Sequence, residues 1–372
     1  MIGALAAGPG IGSAIAGSGG VETALATTEL LLGPGSAPLQ SGTSFVDGLV
    51  EFLSPDTLAG VVVEGLAKSA IYVMIAGGLT LIFGLMGVLN FAHGSLTMIG
   101  AYLGGVVMVL LVGQATGSWA RVGAFFLAMS AVFVAVGGLG GIVEVGLIRK
   151  LYDRPPITQI LLTFGIALVL EELARIVVRF YGLQPRSEWR AALGTKPAEL
   201  ATRHSVGPLQ VRGLAVFEIL MGVLTVVAIW AFLTRTRYGL FIRAGSEDAE
   251  MAEALGIDVR RVFTVVFALG AGIAGIAGAM LMWDQIWGAS VPLAADSLLP
   301  AFVVVIIGGL GTFRGTVVGA LIVGMVDAVT TWWFVNVVTW TWLPDVAVFL
   351  ILVGMLILRP RGLYGVEEVG GH

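Results

Sequence analysis

The sequence predicts an all-α fold, a polytopic transmembrane helix bundle of about eight to nine hydrophobic segments. Three observations predict it. The 372 residues are 57% hydrophobic and only 12% charged, with a mean hydropathy of +0.98, whereas a soluble domain averages about 45–50% apolar and about 25% charged. Apolar runs of roughly 20 residues, the length that crosses a bilayer, recur along most of the chain. Charged residues, Pro or Gly clusters bound each run.

Residues 1–57 are rich in Gly, Ala, Ser, Thr and Pro, carry no Lys or Arg, and hold no apolar stretch long enough to span; they read as a mostly disordered low-complexity tail. A secretory signal needs a basic n-region, yet the first cation is Lys68. A membrane domain over 58–365 then resolves into spans near 66–89, 94–113, 123–148, 157–180, 214–234, 262–283, 300–313, 315–335 and 345–358. Residues 366–372 form a C-terminal tail. The seventh and ninth spans are short. Fourteen residues give about 21 Å of helix against roughly 30 Å of hydrocarbon. The ninth can extend back through Pro344 to Trp340, but the seventh is bounded by Pro300 and Arg314, so it is expected to be tilted, discontinuous or re-entrant.

Orientation follows from cations in the connections. Arg149, Lys150, Arg154, Arg235, Arg237, Arg243, Arg260, Arg261, Arg314, Arg359 and Arg361 fall on one side, and Arg121, Arg186, Arg190, Lys196, Arg203 and Arg212 on the other. The richer side is cytoplasmic by the positive-inside rule, which puts the N-terminus outside and the C-terminus in the cytoplasm of a multi-pass protein of the cell membrane. Trp119, Trp283, Trp287, Trp332, Trp333, Trp340 and Trp342 then gather at the outer interface.

Several chemistries are excluded or unsupported. With no cysteine there is no disulfide framework, thiolate metal site or cysteine nucleophile, and His93, His204 and His372 lie too far apart to offer a metal or triad spacing. Gly270-Ala271-Gly272-Ile273-Ala274-Gly275 matches the dinucleotide fingerprint, but inside a hydrophobic span it reads as helix packing. No P-loop sequence occurs, and a net charge of −4 gives no pointer to nucleic acid. The chain is expected to hold no metal, no cofactor and no catalytic residue.

Ionisable residues inside spans are functional candidates by default. Glu64 and Lys68 stand four apart at the start of the first span; Glu171 and Glu172 lie near Arg175 and Arg179 in the fourth, with Glu171 spaced to pair with Arg175. Glu144 and Asp327 are single acids in apolar context, and Asp327 has no cation within a helical turn. The connection 235–261 accommodates one short helix over 247–255, with Ser246 as N-cap and Gly256 as stop. Met251, Ala252 and Leu255 form its apolar stripe, beside Ala254.

Three blocks carry a resemblance: Gly78-LTLIFGLMGVLNFAHGSLTMIGAY-Leu103, then Tyr238 to Ala279, then Ile307-GGLGTFRGTVVGALIVG-Met325 with the closing Arg359-PRGLY-Gly365. In order and spacing, from about residue 58 onward, the chain resembles the permease subunit of ABC importers for branched-chain amino acids, the LivH type. The resemblance implies a second related permease subunit, two cytoplasmic ATPase subunits that use ATP, and an extracytoplasmic solute-binding protein, all assembled in membrane lipid. It assigns 244–258 to ATPase coupling, though Glu253-Ala254-Leu255-Gly256 departs from the Glu-Ala-Ala of many importers. Asn90, Phe91, Ala92, His93 and Gly94, and the turn Gly311 to Gly315 with Arg314, join apolar segments at the inferred cytoplasmic face as related turns of an internal repeat. With Glu171 and Asp327, they are translocation or gating candidates. The alternatives are a urea or short-amide importer and an ion-coupled secondary transporter using Glu64, Glu171 or Asp327.

Overall fold

The computed structural model describes residues 45–111, 117–152, 154–182, 203–206, 209–282, 288–338 and 343–365. Helices account for nearly all of them. In order these are α1 (Phe45–Phe52), α2 (Pro55–Met86), α3 (His93–Leu111), α4 (Ser118–Gly146), α5 (Pro156–Phe180), α6 (Gly213–Arg235), α7 (Arg237–Glu247), α8 (Ala249–Ala254), α9 (Val259–Leu281), α10 (Leu293–Gly308), α11 (Phe313–Asn336) and α12 (Leu343–Leu358). A 3₁₀ turn, Ile148–Leu151, follows α4, and β1 (Arg203–Val206) pairs antiparallel with β2 (Leu209–Arg212) ahead of α6. Six helical stretches among the described residues are long and apolar enough to cross a membrane, and Leu293–Gly308 and Val346–Leu358 are shorter apolar helices. The chain is a multi-pass membrane protein.

Order begins earlier than the tail reading of 1–57 allows. The rings of Phe45 and Phe52 lie 5.3 and 5.1 Å from Trp333 and Trp332 at the end of α11, a distant partner that local composition cannot reveal. Ser54 then accepts a hydrogen bond from the Thr57 N–H and Pro55 occupies the first turn, so the first span starts at Pro55. Residues 1–44, most of the 181–213 loop, Trp283, Trp287, Trp340, Trp342 and the tail 366–372 lie outside the described residues.

Two helices start deep in the bundle. Gly87, at φ 63°, closes α2, and the chain returns inward until the His93 imidazole meets the carbonyl of Ile75 at 2.9 Å. Ile75 lies eleven residues before the end of α2, about 16 Å of helix, so α3 begins roughly halfway through the hydrocarbon. α10 starts beside it: a Cβ on Gly94 would lie 2.0 Å from the Ala294 carbonyl oxygen. The seventh span therefore runs from Leu293 with Pro300 inside it, not from Pro300 as a boundary. At 16 residues it is still short, about 24 Å, a half-helix that begins inside the bundle. Neighbouring helices shield the ladder that Pro300 interrupts.

The bundle repeats itself in inverted order. α2 and α9 cross where Gly78 and Gly270 face each other: a Cβ on Gly78 would come within 2.5 Å of the Gly270 oxygen, and one on Gly270 within 2.6 Å of the Gly78 oxygen. α2 runs antiparallel to α11, with Gly65 against Met325, Ser69 against Gly324 and the Thr80 and Thr316 hydroxyls 2.6 Å apart. α9 runs antiparallel to α4 in the same manner, Gly272 against Phe133 and Thr264 against Glu144. Each unit is a long helix, an inward-folded stretch, a half-helix and two further helices: α2 to α5, and α9 to α12. The sequence motif around Asn90 therefore corresponds to the approach to α10 at 288–292. It does not correspond to the Gly309–Thr312 turn, which joins α10 to α11 and has its counterpart between α3 and α4.

Candidate functional site

A cavity of about 560 Å³ opens between α2, α6, α10, α11 and α12. Glu64, Lys68, Ile71 and Tyr72 reach it from one face of α2, at the i, i+4, i+7, i+8 spacing of a helical stripe, and Asp327, Thr331 and Val335 from one face of α11. Lys68 Nζ lies 2.7 Å from Asp327 Oδ1 and 3.0 Å from Thr331 Oγ1. The Tyr72 hydroxyl donates to Asp327 Oδ2 at 2.7 Å, and the Thr331 hydroxyl donates to Oδ1 at 3.0 Å. Side-chain exposures of 26% for Lys68 and 11% for Asp327 place the pair at the cavity wall rather than in lipid. Above it, Arg212 at the end of β2 donates to both Glu64 oxygens at 2.5 Å. The spacing of Glu64 and Lys68 permitted a mutual pair; each instead bonds a residue brought in from elsewhere.

A second buried acid sits in the inverted position. Glu144 of α4 accepts Arg149 Nε at 3.1 Å and Nη2 at 3.0 Å, the Tyr152 hydroxyl at 2.5 Å and the Thr264 hydroxyl at 2.7 Å. Burial holds the Tyr152 hydroxyl well above the ordinary phenol range, so it stays a donor. Tyr72 and Thr264 each stand six residues before the crossing glycine of their helix, Gly78 and Gly270. Each donates to the acid on the third helix of the opposite unit. The two clusters fasten α2 to α11 and α4 to α9.

The other sequence candidates divide. Asn90 and His93 are fully buried; Asn90 Oδ1 accepts the Ala92 N–H at 3.1 Å, and His93 Nε2 must carry the proton it gives to the Ile75 carbonyl. Asn90 Nδ2 and His93 Nδ1 have no hydrogen-bond partner among the described residues. Gly94 leaves no room for a side chain beside Ala294. Glu171 does not pair with Arg175: it accepts the Ser95 hydroxyl at 3.3 Å, while Arg175 bonds Glu172 one turn away. Gly311 takes φ +82° in the α10–α11 turn, next to Gly84, and Arg314 is exposed in the first turn of α11. Of these candidates only Asp327 lines the cavity.

The 235–261 connection holds two helices, not one. α7 runs through Ser246, and Asp248 caps α8 by accepting the Met251 N–H at 2.9 Å, so the expected Ser246 cap is displaced. Asp succeeds because its carboxylate faces the next helix start, whereas Ser246 donates back to the Arg243 carbonyl inside α7. Gly256, at φ +85°, supplies the expected stop. The predicted apolar stripe splits: Ala252 is buried against the bundle, while Met251 and Leu255 are 58% and 76% exposed beside exposed Ala254.

Sequence reasoning missed Tyr72, Arg212, Thr331 and Thr264, all ordinary in local context. It also gave the closing Arg-Pro-Arg-Gly-Leu-Tyr-Gly no task. That segment folds under α10, where the Leu363 and Tyr364 N–H groups donate to the Ile307 and Gly308 carbonyls at 2.9 and 3.0 Å and satisfy the helix end.

Comparison with known proteins covers most of this bundle. The chain is 27% identical over 310 residues to the high-affinity branched-chain amino acid transport system permease protein LivH of Escherichia coli (strain K12), covering 82% of this chain and 95% of the relative. It is likewise 27% identical over 312 residues to BraD of Pseudomonas aeruginosa, with the same coverage. Identity is 24% over 323 residues, 86% and 96% of the two chains, to the probable branched-chain amino acid transport permease protein LivH of Methanocaldococcus jannaschii. No solved structure matches. Residues 61–358, from the second turn of α2 to the end of α12, match the branched-chain amino acid transport system permease component, and the chain belongs to that family.

Proposed function

We propose that the chain forms the translocation pathway of an ATP-driven importer for branched-chain or related apolar amino acids. The observation that carries this reading is the family match over residues 61–358, a bundle with two half-helices and a cavity lined by Glu64, Lys68, Arg212 and Asp327 beside apolar side chains. Discontinuous helices flanking a polar midplane region are the usual architecture of a gated path, because irregular backbone is tolerated at that depth only where protein or water covers it. The chain itself supplies positioning and a path; ATP is hydrolysed by two cytoplasmic partner subunits, a second related permease completes the membrane unit, and an extracytoplasmic binding protein delivers the substrate.

In this reading the connection 235–261 faces the cytoplasm. Met251 of α8 and Leu255 at its C-terminal cap form an exposed apolar pair that suits a groove on an ATPase subunit, while Ala252 keeps the helix on the bundle, so motion of the partner reaches α9 through a short rigid link. Asn90, His93 and Gly94, with Gly311 and Arg314, act as gating positions where the two units meet. Glu171 and Asp327, together with Glu64, are held by Ser95, Lys68 and Arg212, an arrangement that suits fixed polar wall groups better than mobile ion carriers.

Deletion of the gene should remove the ATP-dependent component of radiolabelled leucine uptake, with restoration by the intact chain. Uptake that persists without ATP and collapses with the proton or sodium gradient would contradict the proposal.

A further inference from the structure

The cavity between α2, α6, α10, α11 and α12 has a chemistry of its own. Its wall carries two opposite charges 2.7 Å apart, Lys68 and Asp327, held from both sides by Tyr72 and Thr331. Facing them are Ile71, Leu281, Leu299, Val348 and Phe349, and the volume of about 560 Å³ falls within the range of roughly 300–1,000 Å³ that holds a small molecule. Glu64, Glu218 and Asp296 add three further acids and Arg212 one further base, so the wall is formally more negative than positive.

We infer that this cavity is a subsite of the permease itself for a zwitterionic α-amino acid with an apolar side chain. The inference rests on the import reading and names the ligand that the membrane path recognises. A zwitterion carries an ammonium and a carboxylate on one carbon, and both are costly to strip of water at this depth unless each meets its opposite. Lys68 and Asp327 present those two opposites at the spacing of a single ligand head group. The substrate carboxylate takes Lys68 Nζ and the ammonium takes Asp327, one internal ion pair becoming two with no change in net charge. The Tyr72 and Thr331 hydroxyls keep Asp327 oriented throughout. The apolar wall receives the side chain. A neutral amide or urea has neither charge to exchange and gains nothing from the pair.

Because the chain has no cysteine, a single thiol can report on the cavity without background from this chain. Val335→Cys and Leu299→Cys place one on each of two walls, and their modification by a small, charged methanethiosulfonate is followed in the intact membrane complex purified with this chain. Leucine is expected to slow labelling saturably and several-fold at both positions. Leucinol, which lacks the carboxylate, 4-methylpentanoate, which lacks the ammonium, and urea should leave the rate unchanged. Adding Asp327→Asn should remove the protection by leucine. Labelling that leucine does not slow at either position overturns the subsite, as does equal protection by either half-charged analogue or by urea. Leucine uptake by the unsubstituted complex is measured alongside: its absence overturns the import reading, whereas uptake without protection overturns only the subsite.

Discussion

Asp327 shows how much of this protein is decided at single side chains. It is 8% exposed, yet it accepts from Lys68, Tyr72 and Thr331. Asp327→Asn leaves Lys68 without its counter-charge and is expected to cost about 3 kcal/mol, near the lower end for a broken buried pair because the cavity admits solvent. The double change Lys68→Met with Asp327→Leu should recover most of that loss in thermal melting of the detergent-solubilised protein; a double-variant loss equal to the sum of the two single-variant losses would show that the charges do not interact. Glycines give a second test at this scale. A Cβ on Gly278 would lie 1.9 Å from the Thr97 carbonyl oxygen, whereas Gly138 of α4 has open space around it. Gly278→Ala should lower stability by about 1–3 kcal/mol through overpacking, and Gly138→Ala should be neutral or raise it by up to about 1 kcal/mol through helix propensity, read in the same melting assay.

Among the elements, α8 separates structural from coupling roles within one turn. Ala252 is buried at 2% exposure while Leu255, three residues on and just past the end of the helix, projects into the open. Ala252→Asp is therefore expected to disturb folding of the permease. Leu255→Asp should leave insertion and melting unchanged while abolishing uptake and transport-stimulated ATP hydrolysis. At about 25 cal/mol per Å², burial of Met251 and Leu255 on a partner contributes a few kcal/mol, enough to transmit a rigid-body motion. Gly256→Val strains a backbone at φ +85° and should lower uptake as well. Wild-type transport by Leu255→Asp would remove α8 from the coupling path. The helix was legible in the sequence from its acids, stripe and terminal glycine; its N-cap was not, because Ser246 and Asp248 both satisfy the local rule and only the continuation of α7 through Ser246 decides between them.

For the whole molecule, the packing of α1 on α11 moves the expected limit of a harmless truncation. Removing 2–44 should preserve membrane accumulation, whereas removing 2–57 should reduce it, since that cut deletes the Phe45 and Phe52 contacts with Trp333 and Trp332 and the Ser54 cap of α2. Equal accumulation of the two would show that α1 contributes nothing. Orientation is tested by single cysteines at Ser187 and Ser246 with a membrane-impermeant reagent on intact cells: Ser187 should react and Ser246 should not, and the reverse would invert the topology. Hydropathy by itself determined the class of fold, most spans and a short seventh segment, because each is written in composition or spacing within a few turns of helix, and three sequence blocks carried the family resemblance. The tertiary structure alone decided that Lys68 meets Asp327, that Glu64 meets Arg212, and that Thr264 donates to Glu144. It alone disclosed the inverted repeat and the inward start of α3. Helical spacing lists the neighbours a residue has on its own helix, but Lys68 reaches Asp327 across 259 residues and Thr264 reaches Glu144 across 120, and the cost of leaving a buried charge unsatisfied in the membrane makes such distant partners prevail.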